Sequence, residues 1–195
     1  FGMLICAVYN SPMPRTLPDY LLPMLHQLSD GCFHSGQALG QAYGVSRATI
    51  CNIVHAARDM GVNIHAVQGR GYQLESPLVW LDDEKIRAEL GSAAPHYHVR
   101  IVEATDSTNS LLMQAAEAGA PDGTVICTEY QFAGRGRRGR HWHSVLGGSL
   151  TFSVLWRFEE GIAALVGLSL AVGVAMARAL NQHSQFPVKL KWPND

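Results

Sequence analysis

Ser35-Gly-Gln-Ala-Leu-Gly-Gln-Ala-Tyr-Gly-Val-Ser-Arg-Ala-Thr-Ile-Cys-Asn-Ile-Val-His-Ala-Ala-Arg-Asp-Met-Gly61 contains two helix starts and two helix stops. Ser35 can cap a short helix that ends near Tyr43-Gly44, because a serine hydroxyl takes up a free first-turn amide and glycine closes a helix without steric cost. Ser46 can cap a second helix with the apolar stripe Ile50, Ile53, Val54 and Ala57, closed by Gly61. Two helices joined at Gly44-Val45 make a helix-turn-helix. Upstream, Leu21, Leu22, Met24, Leu25 and Leu28 have helical spacing up to Asp30-Gly31, with Pro23 in the first turn. Downstream, residues 62–67 alternate as a strand, Gln68-Gly-Arg-Gly71 turns, and Tyr72-Gln-Leu74 returns.

Residues 20–75 therefore read as a winged helix-turn-helix. In such a module the second helix enters the major groove. Ser46, Arg47, Thr49 and Asn52 would face DNA, and Arg70 at the wing tip would meet phosphate. A winged helix used only for packing or dimerisation would carry the same pattern. This segment has three arginines (Arg47, Arg58, Arg70) against three acids (Asp30, Asp59, Glu75). The field is weak, so DNA binding would call for a dimer to add contacts.

The whole chain has 195 residues, 47% hydrophobic and 16% charged, with a net charge of −1. That is enough apolar chain for a core, and it excludes polyanion binding by bulk field. Cys6, Cys32, Cys51 and Cys127 are scattered without a CxxC pair. They read as reduced thiols of a cytoplasmic protein, neither a disulfide framework nor a zinc site. His96-Tyr-His98 and His141-Trp-His143 lack a supporting carboxylate or cysteine cluster, so no metal is expected on them. Residues 1–19, with Pro12, Pro14 and Pro18, read as a loose extension, and no basic segment precedes Leu4–Tyr9 to make a signal peptide. Residues 161–177 carry no charge. They read as a buried core helix packed on a sheet rather than a membrane span, so no membrane partner is expected.

Ser76-Pro77 opens a linker, residues 76–96, with a short acid-led helix over Asp82–Leu90 and an irregular Ser92–Pro95. A second domain, 97–195, follows. His98–Glu103 and Gly123–Glu129 read as strands and Asn109–Ala118 as a helix. Leu150, Phe152, Val154, Trp156 and Phe158 alternate with Thr151, Ser153 and Arg157 as a half-buried strand. Val188–Trp192 reads as a last strand with Lys189 and Lys191 on one face.

Three segments of this domain carry chemistry. Gln131-Phe-Ala-Gly-Arg-Gly-Arg-Arg-Gly-Arg140 packs four arginines into seven residues, and His141-Trp142 follows. Glycine allows close backbone approach, and arginine forks onto carboxylate or phosphate. Like-charge crowding makes the loop want an anion, although a solvated basic run has the same composition. Asp106-Ser-Thr-Asn109 opens a helix after a strand, and Lys191-Trp-Pro-Asn-Asp195 ends one. Each has a plain alternative, a helix cap or a strand-end turn.

Together and in this order, with the winged helix in front, these segments resemble the biotin protein ligases of the bifunctional type that also represses the biotin operon. The resemblance runs from about Leu22 to Asp195. It implies an α+β chain: a winged helix-turn-helix plus an incomplete mixed α/β catalytic domain of the biotin/lipoate-ligase, class II synthetase-like kind. It implies ATP with Mg²⁺, which turn biotin into biotinyl-5′-AMP. Transfer then follows to a lysine of the biotin carboxyl carrier protein of acetyl-CoA carboxylase. By resemblance, Ser107, Thr108, Asn109 and Gln131 contact biotin. Arg135, Gly136 and Arg137 cover biotin and its adenylate. Arg138, Arg140, Trp142, Lys191 and Asn194 serve the nucleotide, with Arg135, Arg137 and Lys191 as catalytic residues. Two anions must be brought together, so cationic donors have to offset their repulsion. The adenylate would also drive homodimerisation on operator DNA, with the arginine loop ordering around it.

Two departures stand out. His141 and His143 sit where the family often has a lysine and an aromatic. The family also continues past Lys-Trp-Pro-Asn-Asp with a Lys-x-x-Gly-Ile strand, more central sheet and a small SH3-like barrel. The chain is therefore expected to be a fragment of a longer reading frame. The rival reading is a DNA-binding repressor fragment without ligase turnover. A lipoate-type ligase of the same superfamily fits less well, because the arginine loop points to biotin.

Overall fold

The computed structural model describes residues 16–136, 140, 142, 144–159 and 165–190. They fall into two compact units, 1–155 and 156–195.

The first unit begins with α1 (Leu21–Leu28), α2 (Gly36–Tyr43) and α3 (Arg47–Asp59). The expected caps are in place. Ser35 Oγ accepts from Ala38 N at 3.0 Å, and Ser46 Oγ accepts from Thr49 N at 3.1 Å. Gly44 ends α2 at φ 66°, a left-handed turn that keeps the two helices close. β1 (Ile64–Val67) and β2 (Gly71–Leu74) pair antiparallel as the wing. His34 and Tyr72 exchange two backbone bonds, 2.9 and 2.8 Å. That bridge needs Gly71: at φ 105° a Cβ there would run into the His34 carbonyl.

Leu21, Met24, Leu25, Leu28, Leu39, Ile50, Ile53, Val54, Ala57, Ile64 and Leu74 fill the core under these elements. Each buried Leu or Ile contributes about 1.5–3 kcal/mol. The same cluster takes in Tyr130 and Leu146 from further along the chain, with Leu17, Leu78 and Trp80 packed against it. Segment 76–96 is accordingly more than a spacer. The acid-led helix is present as α4 (Asp83–Leu90), with Asp82 as its cap through Lys85 N at 3.1 Å. Ser92–Pro95, read as a linker, lies inside a 3-10 helix spanning Gly91–His96.

β3 (His98–Thr105), α5 (Thr108–Glu117) and β4 (Thr124–Gln131) form a parallel strand–helix–strand unit, and β5 (Thr151–Val154) adds antiparallel to β4. β4 is the middle strand of three and is buried along its full length. β5 corrects the sequence reading twice. It is four residues long rather than nine, and burial is reversed at its first two residues, Thr151 and Phe152. Thr151 is 8% exposed whereas Leu150 is 65%. The cause is a polar tie: Ser153 stands opposite Ile126 and its hydroxyl meets Thr108 of α5 at 2.9 Å. This holds Ser153 against α5, with Phe152 exposed and Val154 half-buried.

The second unit holds α6 (Leu168–His183). It was expected to be buried, and none of its residues is. A helix with Leu, Val, Ala and Met on every side needs cover all round, and within its own unit Leu190 over Gly173 covers one spot. The strand expected over Val188–Trp192 is also absent from its described part, 188–190. The Asn181 side chain takes both backbone groups of Val188, at 2.8 and 2.9 Å, so they are not offered to a ladder. Residues 191–195 lie outside the described residues.

Candidate functional site

Parallel pairing of β3 and β4 brings both carboxyl ends to one edge, with the N-terminus of α5 between them. Thr105 pairs with Gln131, and the alignment continues past the strands: Phe132 N donates to Thr105 O and Ala133 N to Asp106 O, both at 3.0 Å. Asp106–Asn109 and Gln131–Arg135 therefore leave the sheet side by side. Strand carboxyl ends are where open α/β sheets hold ligands.

At this edge lies a buried polar knot. Ser107 is 6% exposed, Thr108 3% and Gln131 8%. Ser107 caps α5 through Ser110 N at 3.4 Å. Gln131 Oε1 accepts from Thr108 N at 2.8 Å and from Thr108 Oγ1 at 3.2 Å. Because Thr108 Oγ1 has one hydrogen and gives it to Gln131, Ser153 must be the donor in their 2.9 Å bond. Gln131 N in turn donates to Ser144 Oγ at 3.4 Å. Asn109 is exposed beside this knot.

The arginine loop is cinched at its base. Trp142 N donates to Gly134 O at 2.8 Å, and Gly136 N donates to Arg140 O at 2.7 Å. Gly134 is required where these strands cross: a Cβ there would stand 2.7 Å from Trp142 O and 3.0 Å from Gln131 Nε2. Arg135 and Arg140 are exposed and Trp142 is 58% exposed, a free aromatic face. Arg135 reaches the Ser110 hydroxyl of α5. Arg137, Arg138, Lys191 and Asn194 lie outside the described residues.

Ser107, Thr108, Gln131, Arg135 and Gly136 thus come together, with Arg140 and Trp142 on the loop beside them. The sequence reading missed Ser110, Ser144 and Ser153. Ser153 had a signal, as a polar residue in register with Thr151, but strand alternation alone does not say which face is inward. Among the described residues no group of three His, Cys, Asp or Glu side chains could hold a metal ion. Two residues before Gln131, Glu129 is buried and accepts from Leu81 N at 2.7 Å. Burial pushes its carboxyl above the usual range, against the opposing pull of the Leu81 amide and His26.

The second candidate surface is on the winged helix. Arg47 and Asn52 are exposed on α3 and Arg70 is exposed on the wing. The hydroxyls of Ser46 and Thr49 bond each other at 2.9 Å as part of the cap, so capping already engages both. Arg70 lies over the Phe33 ring, 4.0 Å from its centroid.

Residues 21–73 match the HTH domain family, and residues 101–195 match the biotin/lipoate A/B protein ligase family. The bifunctional ligase/repressor BirA of Salmonella typhimurium is 43% identical over 175 residues, 89% of this chain and 53% of that protein. The protein of the same name from Escherichia coli is 40% identical over 174 residues, 89% of this chain and 53% of that one. The chain thus spans about half the length of these curated relatives. A biotin protein ligase from Aquifex aeolicus, solved in complex with biotin and ATP, is 33% identical. It aligns with 50% of this chain and 40% of its own, at a TM-score of 0.40. Among the described residues no helix is long and apolar enough to cross a membrane.

Proposed function

From a chain that joins a helix-turn-helix domain to a member of the biotin/lipoate A/B protein ligase family, we propose ATP-dependent biotin–protein ligation coupled to repression of the biotin operon. The observation that carries the ligase half is the buried Thr108–Gln131 contact under the arginine loop. It unites the helix-opening Ser-Thr-Asn with the strand-ending Gln at one spot. A ureido ring carries both donors and acceptors, and hydroxyls with a carboxamide meet both kinds. Ser107, Thr108, Asn109 and Gln131 are the proposed biotin contacts.

The reaction would bring a biotin carboxylate oxygen onto the α-phosphorus of ATP, with pyrophosphate leaving. A carrier lysine amine would then attack the acyl carbon of the mixed anhydride, and AMP would leave. Arg135, Gly136 and Arg137 would lie over the carboxylate and phosphate, where guanidinium groups offset the repulsion of two anions. Arg138, Arg140, Lys191 and Asn194 would address the nucleotide, with Trp142 offering a stacking face. Arg135, Arg137 and Lys191 are the proposed catalytic cations. The described residues offer Mg²⁺ no carboxylate cluster, so we keep the ion as part of the proposed nucleotide substrate, held by its phosphates. A closed loop would also keep water from the anhydride.

Operator DNA is the second proposed ligand. Arg47 and Asn52 would sit at the major groove, with Ser46 and Thr49 presenting the helix start and Arg70 on phosphate. The weak charge balance of this domain supports binding as a homodimer, formed when the adenylate is bound. The carrier is proposed to be the biotin carboxyl carrier protein of acetyl-CoA carboxylase, and the setting the cytoplasm. Biotin-dependent exchange of labelled pyrophosphate into ATP tests the ligase reading, with exchange expected in the native chain and lost in Gln131→Ala. Operator binding without any exchange would instead favour a repressor lacking turnover.

A further inference from the structure

We propose that Phe33 is a positioning residue for DNA binding: its ring holds Arg70 on the wing with the guanidinium edge free for a backbone phosphate. This rests on the operator-binding reading above. The guanidinium carbon lies over the ring, 4.0 Å from its centroid. An arginine stacked through its face keeps its N–H donors, which lie in the plane, available for an anion. Among the described residues Arg70 makes no hydrogen bond or ion pair apart from the wing's own backbone bond to Val67 O.

Phe33 is itself fixed. Its neighbour His34 is locked to Tyr72 by the two backbone bonds of the bridge. His34 also bonds Asp30 through Nε2 at 2.9 Å. Tyr72 and Arg47 are the side chains that a Cβ on Gly36 would meet, at 3.2 and 3.4 Å. Arg47 at the start of α3 and Tyr72 of the bridge thus both lie close to Gly36. The spacing between the groove-entering helix and the phosphate-facing wing is then built into the fold. The ordering cost of a long side chain on an exposed hairpin falls in the same way.

The test uses the full chain and a fluorescein-labelled 30-base-pair duplex of arbitrary sequence in low salt, read by anisotropy. A stacked exposed cation is worth about 0.5–1 kcal/mol, or about two- to five-fold in affinity. Phe33→Leu should weaken binding by that factor, and Phe33→Tyr should restore it. The log–log salt slope should drop by up to about one for Phe33→Leu, as for Arg70→Gln. In the Arg70→Gln background, Phe33→Leu should add nothing further. Full additivity of the two changes, or native affinity and slope in Phe33→Leu, overturns the positioning role and leaves DNA binding standing. No binding by the native chain overturns both. If Phe33→Leu shifts the urea midpoint, the Phe33→Tyr and double-variant comparisons decide.

Discussion

Thr108→Val removes one hydroxyl from the buried knot and keeps the side-chain shape. Two bonds go with it: the 3.2 Å donation to Gln131 Oε1 and the 2.9 Å acceptance from Ser153. Gln131 Oε1 is not orphaned, because Thr108 N still donates to it at 2.8 Å. Ser153 loses its acceptor in a half-buried place. At about 1 kcal/mol for each neutral bond, the expected cost is about 1–2 kcal/mol. For a chain of this length that is roughly 2–8 °C in Tm. In urea it is about 0.5–1 M in midpoint with an unchanged slope. Thr108→Ser keeps the hydroxyl and loses one buried methyl, about 0.8 kcal/mol. It should retain the biotin-dependent exchange that Thr108→Val loses by about tenfold. A Thr108→Val chain that melts with the native one, beside a Thr108→Ser chain that melts lower, would refute the hydroxyl network.

Three more outcomes follow from the geometry. Gly134→Ala puts a Cβ 2.7 Å from the Trp142 carbonyl and crowds Gln131; calorimetry with a non-hydrolysable biotinyl-5′-adenylate analogue should show affinity falling more than tenfold, while thermal unfolding moves only a few degrees. Ser46→Ala removes the acceptor of the 3.1 Å cap of α3 and should cost about 1 kcal/mol, with Ser46→Asp recovering it in urea unfolding. Glu129 is raised by burial, so the folded state binds its proton more tightly than the unfolded one. The stability from its neutral form is full below the ordinary carboxylate range and is lost as pH rises through the folded value. Glu129→Gln should therefore gain on the native chain at pH 7–8 and converge with it towards pH 4. A gap that stays constant across urea titrations from pH 4 to 8 would contradict this.

The winged helix was legible nearly residue by residue because its signals are local. Ser35, Ser46 and Gly44 each satisfy a backbone demand set within a few residues. The strand–helix–strand unit was legible for the same reason, and its helix start at Ser107 put Thr108 where Gln131 could meet it. What was not legible depends on distant partners. The tie that holds Ser153 of β5 comes from Thr108, 45 residues away. The strand expected at Val188 gave way to an amide on Asn181, seven residues back. Apolar residues on all sides of α6 predicted burial, but that pattern says nothing about what covers them. No local pattern foretold that Tyr130 and Leu146 would join the winged-helix core.

The central claim is that the knot of Ser107, Thr108 and Gln131 under the arginine loop holds biotinyl-adenylate. Titration calorimetry of the native chain and of Gln131→Ala with the non-hydrolysable adenylate analogue tests it most directly. One saturable site per chain is predicted, weakened at least tenfold in Gln131→Ala at a temperature where both chains are folded. No heat of binding in a folded native chain, or equal affinity in the two, would contradict it.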